Sequence, residues 1–120
     1  MANISVVIPI YNEEKSIHLL IKKLIKLKAE PGIDKLEVFF INDGSKDKSL
    51  ETIRENIQAR KDFKIINLSR NYGQTAAIAA GIDNASNDII ITMDGDLQND
   101  PDDIPKLLMK LDEGLSLIHI

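Results

Sequence analysis

Two aspartates separated by one glycine, Asp94-Gly95-Asp96, follow the β-branched and apolar run Ile89-Ile90-Ile91-Thr92-Met93. On an extended chain, side chains at i and i+2 point the same way, so both carboxylates can face one spot. Gly95 between them lets backbone or ligand come close. Two ionised carboxylates side by side repel unless a cation lies between them. Hard oxygen ligands of this kind suit Mg2+ or Mn2+, shared with substrate phosphates. A divalent ion on Asp94 or Asp96 would hold a diphosphate and neutralise a departing nucleoside diphosphate. The plainer alternative is a surface turn that caps the next helix. Asn42-Asp43-Gly44-Ser45 repeats the arrangement after the apolar run Leu36–Ile41. A carboxylate at Asp43 would accept an N–H from uracil N3 or from the N1/N2 edge of guanine. Alternatively, Asp43 and Ser45 would cap the helix that follows. Arg70 would add positive charge near the phosphates.

Ile4 to Ile10 is a strand with Pro9 near its end, where regular pairing should be lost. Asn12 is a good N-cap, and Glu13 and Glu14 suit a first helical turn. Ile17, Leu20, Ile21, Leu24 and Ile25 recur at helical spacing, with Lys15, Lys22, Lys23, Lys26 and Lys28 on the opposite, solvated face. His18 falls outside the apolar stripe, and Pro31-Gly32 ends the helix. After the strand Leu36–Ile41, a helix with Leu50, Ile53 and Ile57 inward runs to about Arg60. Phe63 to Leu68 is a third strand, ending in Ser69-Arg70-Asn71-Tyr72-Gly73. The alanine-rich Thr75–Ala85 suits a helix packed closely on a sheet. Asn87 to Met93 is the fourth strand, read as buried on both faces, and Pro101 to Glu113 is a helix with Ile104, Leu107, Leu108 and Leu111 inward.

Strands alternating with helices predict an α/β fold, a mostly parallel sheet with helices on both faces. In the order 3-2-1-4 of mononucleotide-binding halves, the fourth strand lies beside the first at the switch point. Asp94 and Asp96 would then sit next to Tyr11 and Asn12, with Asp43 one strand further out. That makes a crevice about a nucleotide wide, with an acid at each end.

Composition narrows the function. The chain has 120 residues, is 43% hydrophobic and 28% charged, and carries a formal charge of −4, which gives no reason to expect nucleic-acid binding. It has no cysteine, which rules out disulfides and thiolate metal sites. The N-terminus does not read as a signal peptide, and no apolar run approaches the ~20 residues of a membrane helix. There is no Gly-x-Gly-x-x-Gly after the first strand and no Walker A pattern, which argues against dehydrogenases and P-loop NTPases. The lack of a Gly-x-Ser-x-Gly elbow argues against a serine hydrolase. A phospho-receiver domain would need an acidic pair after the first strand, where Pro9-Ile10-Tyr11-Asn12 stands.

Val7-Ile8-Pro9-Ile10-Tyr11-Asn12-Glu13-Glu14, Ile41-Asn42-Asp43-Gly44-Ser45 and Met93-Asp94-Gly95-Asp96-Leu97-Gln98 resemble the inverting family 2 glycosyltransferases of GT-A fold. Ser69-Arg70-Asn71-Tyr72-Gly73-Gln74-Thr75-Ala76-Ala77 and Leu97-Gln98-x-x-Pro101 look like the polyprenyl-phosphate branch, with its dolichyl-phosphate mannose synthases and undecaprenyl-phosphate glucosyltransferases. The likeness covers residues 4 to about 113. It implies a UDP- or GDP-sugar donor, a polyprenyl phosphate acceptor, Mg2+ or Mn2+, and a full-length enzyme at the cytoplasmic face of a membrane. It implies that Pro9, Tyr11, Asn12, Glu13, Asp43, Arg70 and Asp94 bind the nucleotide, that Asp94 and Asp96 hold the metal, and that Gln98 lies beside the donor sugar. The acceptor's general base is expected beyond residue 114, so that 1–114 is the donor-binding part, unable to transfer sugar alone. Asn42 replaces an Asp and Gln74 a Lys of many relatives, weakening a base or ribose contact and a phosphate contact. Residues 115–120 match nothing expected there and read as an altered fifth strand or a truncation scar. A non-catalytic nucleotide-binding module is the rival reading, and a homo-oligomer is compatible with either.

Overall fold

The computed structural model describes residues 2–96, 100–108 and 116–119. Its parallel sheet contains β1 (Ala2–Ile10), β2 (Ile33–Asn42), β3 (Phe63–Asn67), β4 (Ile89–Thr92) and β5 (Ser116–His119) in the order β3-β2-β1-β4-β5. The expected 3-2-1-4 order is present, and Ser116–His119 extends it as a fifth strand paired with β4. Helices α1 (Glu14–Lys28) and α2 (Ser49–Ile57) cover one face, and α3 (Gln74–Asn84) covers the other. No described helix is long and apolar enough to cross a membrane.

The even-numbered residues Ile4, Val6, Ile8 and Ile10 of β1 bury themselves against Ile17, Leu20, Ile21 and Leu24 of α1 and Ile53 of α2. Val7 points the other way, into a smaller cluster with Phe39, Ile41 and Ala77. This alternation is the strand period of two meeting the helical stripe. Ile25 and Leu50, expected to be core residues, are only half-buried, and Leu27 is buried instead. The small residues of α3 allow it to approach closely. A Cβ on Gly81 would collide with the Val7 side chain. Because α3 packs on β1 and β2, it leaves Ile90 of β4 half-exposed, so β4 is not buried on both faces along its length.

Several boundaries move. β1 and β2 begin earlier than Ile4 and Leu36, and β4 is shorter than Asn87–Met93. The expected helix Pro101–Glu113 opens as a 3-10 turn, Pro101–Asp103, followed by the short α4, Ile104–Leu108. Pro105 has no N–H to give to the Pro101 carbonyl, so the Ile104 N–H takes it instead, closing a tighter turn. The rest of that helix, including Leu111, lies outside the described residues.

Pro9 shapes the carboxyl edge. The Val7 carbonyl accepts from Met93 N–H on the β4 side, and the Ile10 carbonyl accepts from Asp43 N–H on the β2 side. In a parallel sheet these directions alternate along the strand, so the missing N–H of Pro9 faces β4. Pairing of β1 with β4 accordingly ends at Val7 and Thr92, whereas pairing with β2 continues to Ile10 and Asn42. The chain parts from β1 just where Asp94 begins.

At the opposite edge, the Glu37 carboxylate is buried and accepts from Ser5 Oγ at 2.6 Å, Ser86 N at 2.7 Å and Ser86 Oγ at 2.9 Å. Burial pushes the Glu37 pKa up, but these hydrogen bonds and the Lys64 charge outweigh it and hold it below the ordinary value. A depressed acid contributes stability that is present above its unfolded pKa and lost as pH falls through its folded pKa. Glu37→Ala, which leaves these donors unpaired, should lower the unfolding free energy by about 1–3 kcal/mol at pH 7. The deficit should shrink as pH falls below the ordinary glutamate value, where the unfolded chain takes up a proton that the folded carboxylate resists. Urea melts at pH 7 and pH 3 measure both.

Candidate active site

The loops leaving β1, β2, β3 and β4 enclose a cavity of about 340 Å3 lined by Pro9, Ile10, Tyr11, Glu13, Asp43, Asn71, Gly73, Gln74, Asp94, Gly95 and Asp96. Of the residues expected at a nucleotide site, Pro9, Tyr11, Glu13, Asp43, Asp94 and Asp96 line it. Asn12 and Arg70 do not. Gln98 lies outside the described residues.

Asn12 is also not the N-cap of α1. It takes a left-handed backbone conformation (φ 54°), and its Oδ1 accepts from Lys46 N–H at 2.8 Å. Asn tolerates that conformation better than most residues. The amides at the start of α1 are satisfied from the stretch that leads into α2: Ser49 Oγ accepts from Glu13 N–H and Asp47 Oδ2 from Glu14 N–H. Asp47 also accepts from Ser49 N–H at 2.9 Å, so it serves the start of α2 where the alternative reading placed Asp43 and Ser45. Arg70 stacks its guanidinium on the Tyr72 ring, 4.9 Å from the centroid, and lines a neighbouring groove with Tyr11, Asn42 and Lys46. Asn42 is buried and spends its amide on Asn67 Oδ1 and Ser45 N–H.

Asp43 is 3% exposed. Its Oδ1 accepts from Tyr72 N–H at 2.8 Å, and its Oδ2 from Gly73 N–H at 3.0 Å and Asn71 Nδ2 at 3.3 Å. The acid therefore clamps the β3–α3 loop onto the end of β2 while forming part of the cavity wall. Gly44 permits the contact, since it has φ +73° and a Cβ there would lie 2.5 Å from Asn71 N.

The turn Asp94-Gly95-Asp96 is fixed from two sides. Ser16 Oγ, on α1, donates to the Gly95 carbonyl at 2.7 Å. Gln74 Nε2, at the start of α3, donates to Asp94 Oδ1 at 2.8 Å. Glu13 shares the cavity with both aspartates, and its pKa is raised by burial and by the negative charges of Asp96, Asp47 and Asp94, despite a hydrogen bond from Ser16. An acid pushed up by its neighbours marks a region of negative potential. Among the described residues, no three acidic, His or Cys side chains converge to hold an ion alone. Two hard carboxylates facing an open cavity do fit a Mg2+ or Mn2+ that takes its remaining ligands from water and phosphate. Asn71 and Gly73 were not singled out from sequence; both lie within the Ser69–Gly73 stretch after β3. Asp47 carries a local signal, an Asp two residues before a Ser at a helix start.

Comparisons with known proteins agree with this architecture. An undecaprenyl-phosphate 4-deoxy-4-formamido-L-arabinose transferase of Salmonella paratyphi B is 44% identical over 116 residues, which is 96% of this chain and 35% of the relative. The chain thus spans about a third of the length of the curated relatives it matches. Crystal structures of S. aureus TarS 1-349, alone and in complex with UDP, superpose with a TM-score of 0.68 at 27% identity, over 78% of this chain and 27% of that one. The mannosyltransferase PcManGT of Pyrobaculum calidifontis, in complex with GDP-Man and Mn2+, shares the fold, with a TM-score of 0.70 at 24% identity over 79% of this chain and 28% of that one. The fold is that of GT-A glycosyltransferases. With residues 5–119 matching the model of the family, the chain belongs to glycosyl transferase family 2.

Proposed function

We propose that these residues bind a UDP- or GDP-sugar, as the donor half of an inverting transferase whose acceptor is a polyprenyl phosphate. The observation that carries this reading is the cavity at the carboxyl edge, with Asp43 in one wall and Glu13, Asp94 and Asp96 around the rest. The acceptor class rests on the name of the relatives, undecaprenyl-phosphate sugar transferases, and the nucleotide on the TarS complex with UDP. Such an enzyme would work at the cytoplasmic face of a membrane.

In this reading Pro9, Tyr11, Glu13 and Asp43 seat the nucleoside, and Asp94 and Asp96 face the diphosphate. Asn12 and Arg70, which do not line the cavity, are left out of the contact set. Pro9, half-buried in the cavity wall, presents apolar surface on which a base can lie. Asp43, tied to Tyr72 and Gly73, fixes the distance between the ends of β2 and β3 and so the width of the seat. A divalent cation bound at Asp94 and Asp96 would supply charge neutralisation for the leaving diphosphate. Glu13 adds negative charge beside them and deepens the preference for a cation. Gln98, two residues past Asp96, is assigned to the donor sugar.

Calorimetric titration with UDP, UDP-glucose, GDP and GDP-mannose, each with and without Mn2+, tests the proposal. One nucleotide should bind in Mn2+ with a Kd on the order of 10 μM to 1 mM, about −4 to −7 kcal/mol. The same titration without metal should be at least tenfold weaker. No binding of any of the four by folded protein in Mn2+ would contradict the reading.

A further inference from the structure

We propose that Gln74 is a positioning residue for Asp94, and that the segment Asn71-Tyr72-Gly73-Gln74 is a strap linking the acid at the end of β2 to the acid at the end of β4. At one end, the Asp43 carboxylate takes the Tyr72 and Gly73 N–H groups and the Asn71 side chain. At the other, Gln74 Nε2 donates to Asp94 Oδ1 at 2.8 Å. β1 lies between β2 and β4 in the sheet, so the strap joins two strand ends that do not touch.

The chemistry of the partner matters. A lysine or arginine at 74 would neutralise Asp94 as well as hold it. The amide of Gln74 holds one oxygen with a neutral donor and leaves the charge of the carboxylate available to a cation. Glu13 and Asp96 share the cavity and repel Asp94, so an unheld carboxylate would swing toward solvent. Orienting partners of metal-facing carboxylates act this way: they touch neither metal nor substrate, and their loss weakens metal affinity by about 10- to 100-fold. Gln74 is itself exposed, so it is not part of the buried core. The segment cannot drift, because the Asp43 clamp fixes residues 72 and 73 and Gly73 begins the helix on which Gln74 stands.

The inference rests on the nucleotide-binding reading for its consequence but not for its geometry, and two measurements separate the two. The first uses ligand-free protein. In 1H–15N spectra, the Gln74 side-chain amide should resonate away from the random-coil position in the wild type and return to it in Asp94→Ala. An amide at the same position in both proteins would overturn the proposal, whether or not nucleotide binds. The second is calorimetry of Gln74→Ala and Gln74→Glu with UDP. Gln74→Ala should lose about tenfold in affinity with Mn2+ present and less than twofold without it. Gln74→Glu, which replaces the donor with a like charge, should lose more than Gln74→Ala. An equal loss with and without Mn2+ would make Gln74 a direct phosphate contact and overturn its positioning role, as would no loss at all. Absence of UDP binding by the wild type would count against the proposed function, and the spectra would still decide the role of Gln74.

Discussion

Asp43→Ala should lower the unfolding free energy by about 2 kcal/mol, the scale of unpairing charge-assisted hydrogen bonds at a buried acid. In a domain of this size that is a fall in melting temperature of about 8 °C. The acid is 3% exposed, and its removal orphans Tyr72 N–H and Gly73 N–H. The loop that carries them is largely exposed, so water can partly replace the lost acceptor once the loop lifts away; this keeps the cost from being larger. Asp43→Asn preserves volume and one acceptor oxygen, so it should lose about half as much. Thermal melts of the three proteins give the order wild type, Asn, Ala. Equal melting of wild type and Asp43→Ala would show that the clamp contributes nothing, and the role of Asp43 would then lie wholly in ligand binding.

The second large effect is on the metal. Asp94→Ala and Asp96→Ala should each weaken Mn2+-dependent nucleotide binding by roughly 1–3 kcal/mol, about 5- to 150-fold. In the double variant, the ratio of affinities with and without Mn2+ should fall to about 1. Neither change removes packing, because Asp96 is exposed and Asp94 half-buried. Stability at pH 7 should change little, since relief of charge repulsion on Glu13 opposes the loss of contacts such as the Gln74 hydrogen bond to Asp94. A metal-dependent affinity that survives the double substitution would remove both acids from the metal site. A collapsed circular-dichroism spectrum would mean instead that the turn is structural.

The fold was legible because its elements are set by short-range periodicity. The alternation of Ile4–Ile10 and the helical spacing of Ile17 to Leu24 needed no tertiary information, and the β-α alternation implied a parallel sheet. Pro9 signalled where pairing would fail, though not that the failure falls only on the β4 side; that depends on which neighbour its missing N–H would have faced. The helix beginning at Pro101 was misjudged in form because Pro105 removes the donor for the first full turn. At the site, the acids at strand ends were visible as a pattern. Their partners were not, because these come from distant positions: Asp47 and Ser49 satisfy amides of Glu13 and Glu14, and Gln74 reaches Asp94. Asn12 is a residue type that caps helices, but long-range acceptors already serve the amides at the start of α1, and its Oδ1 accepts from Lys46 N–H instead. Arg70 was expected to add positive charge near the phosphates, and the structure lays its guanidinium on the aromatic face of Tyr72 two residues on. Local propensity cannot rank such competitors.

In the proposed function, a nucleoside diphosphate sits at the carboxyl edge of the sheet, between the ends of β2 and β4. A 1H–15N titration of the labelled chain with UDP and with GDP, in Mg2+, locates the ligand directly. For the nucleotide that binds, amide shifts should change at Ile10, Tyr11, Glu13, Asp43, Asn71–Gln74 and Asp94–Asp96, while Lys28, Lys35, Glu37 and Lys64 at the opposite edge stay fixed. Shifts confined to that opposite edge, or no shift from either nucleotide at millimolar concentration, would contradict it.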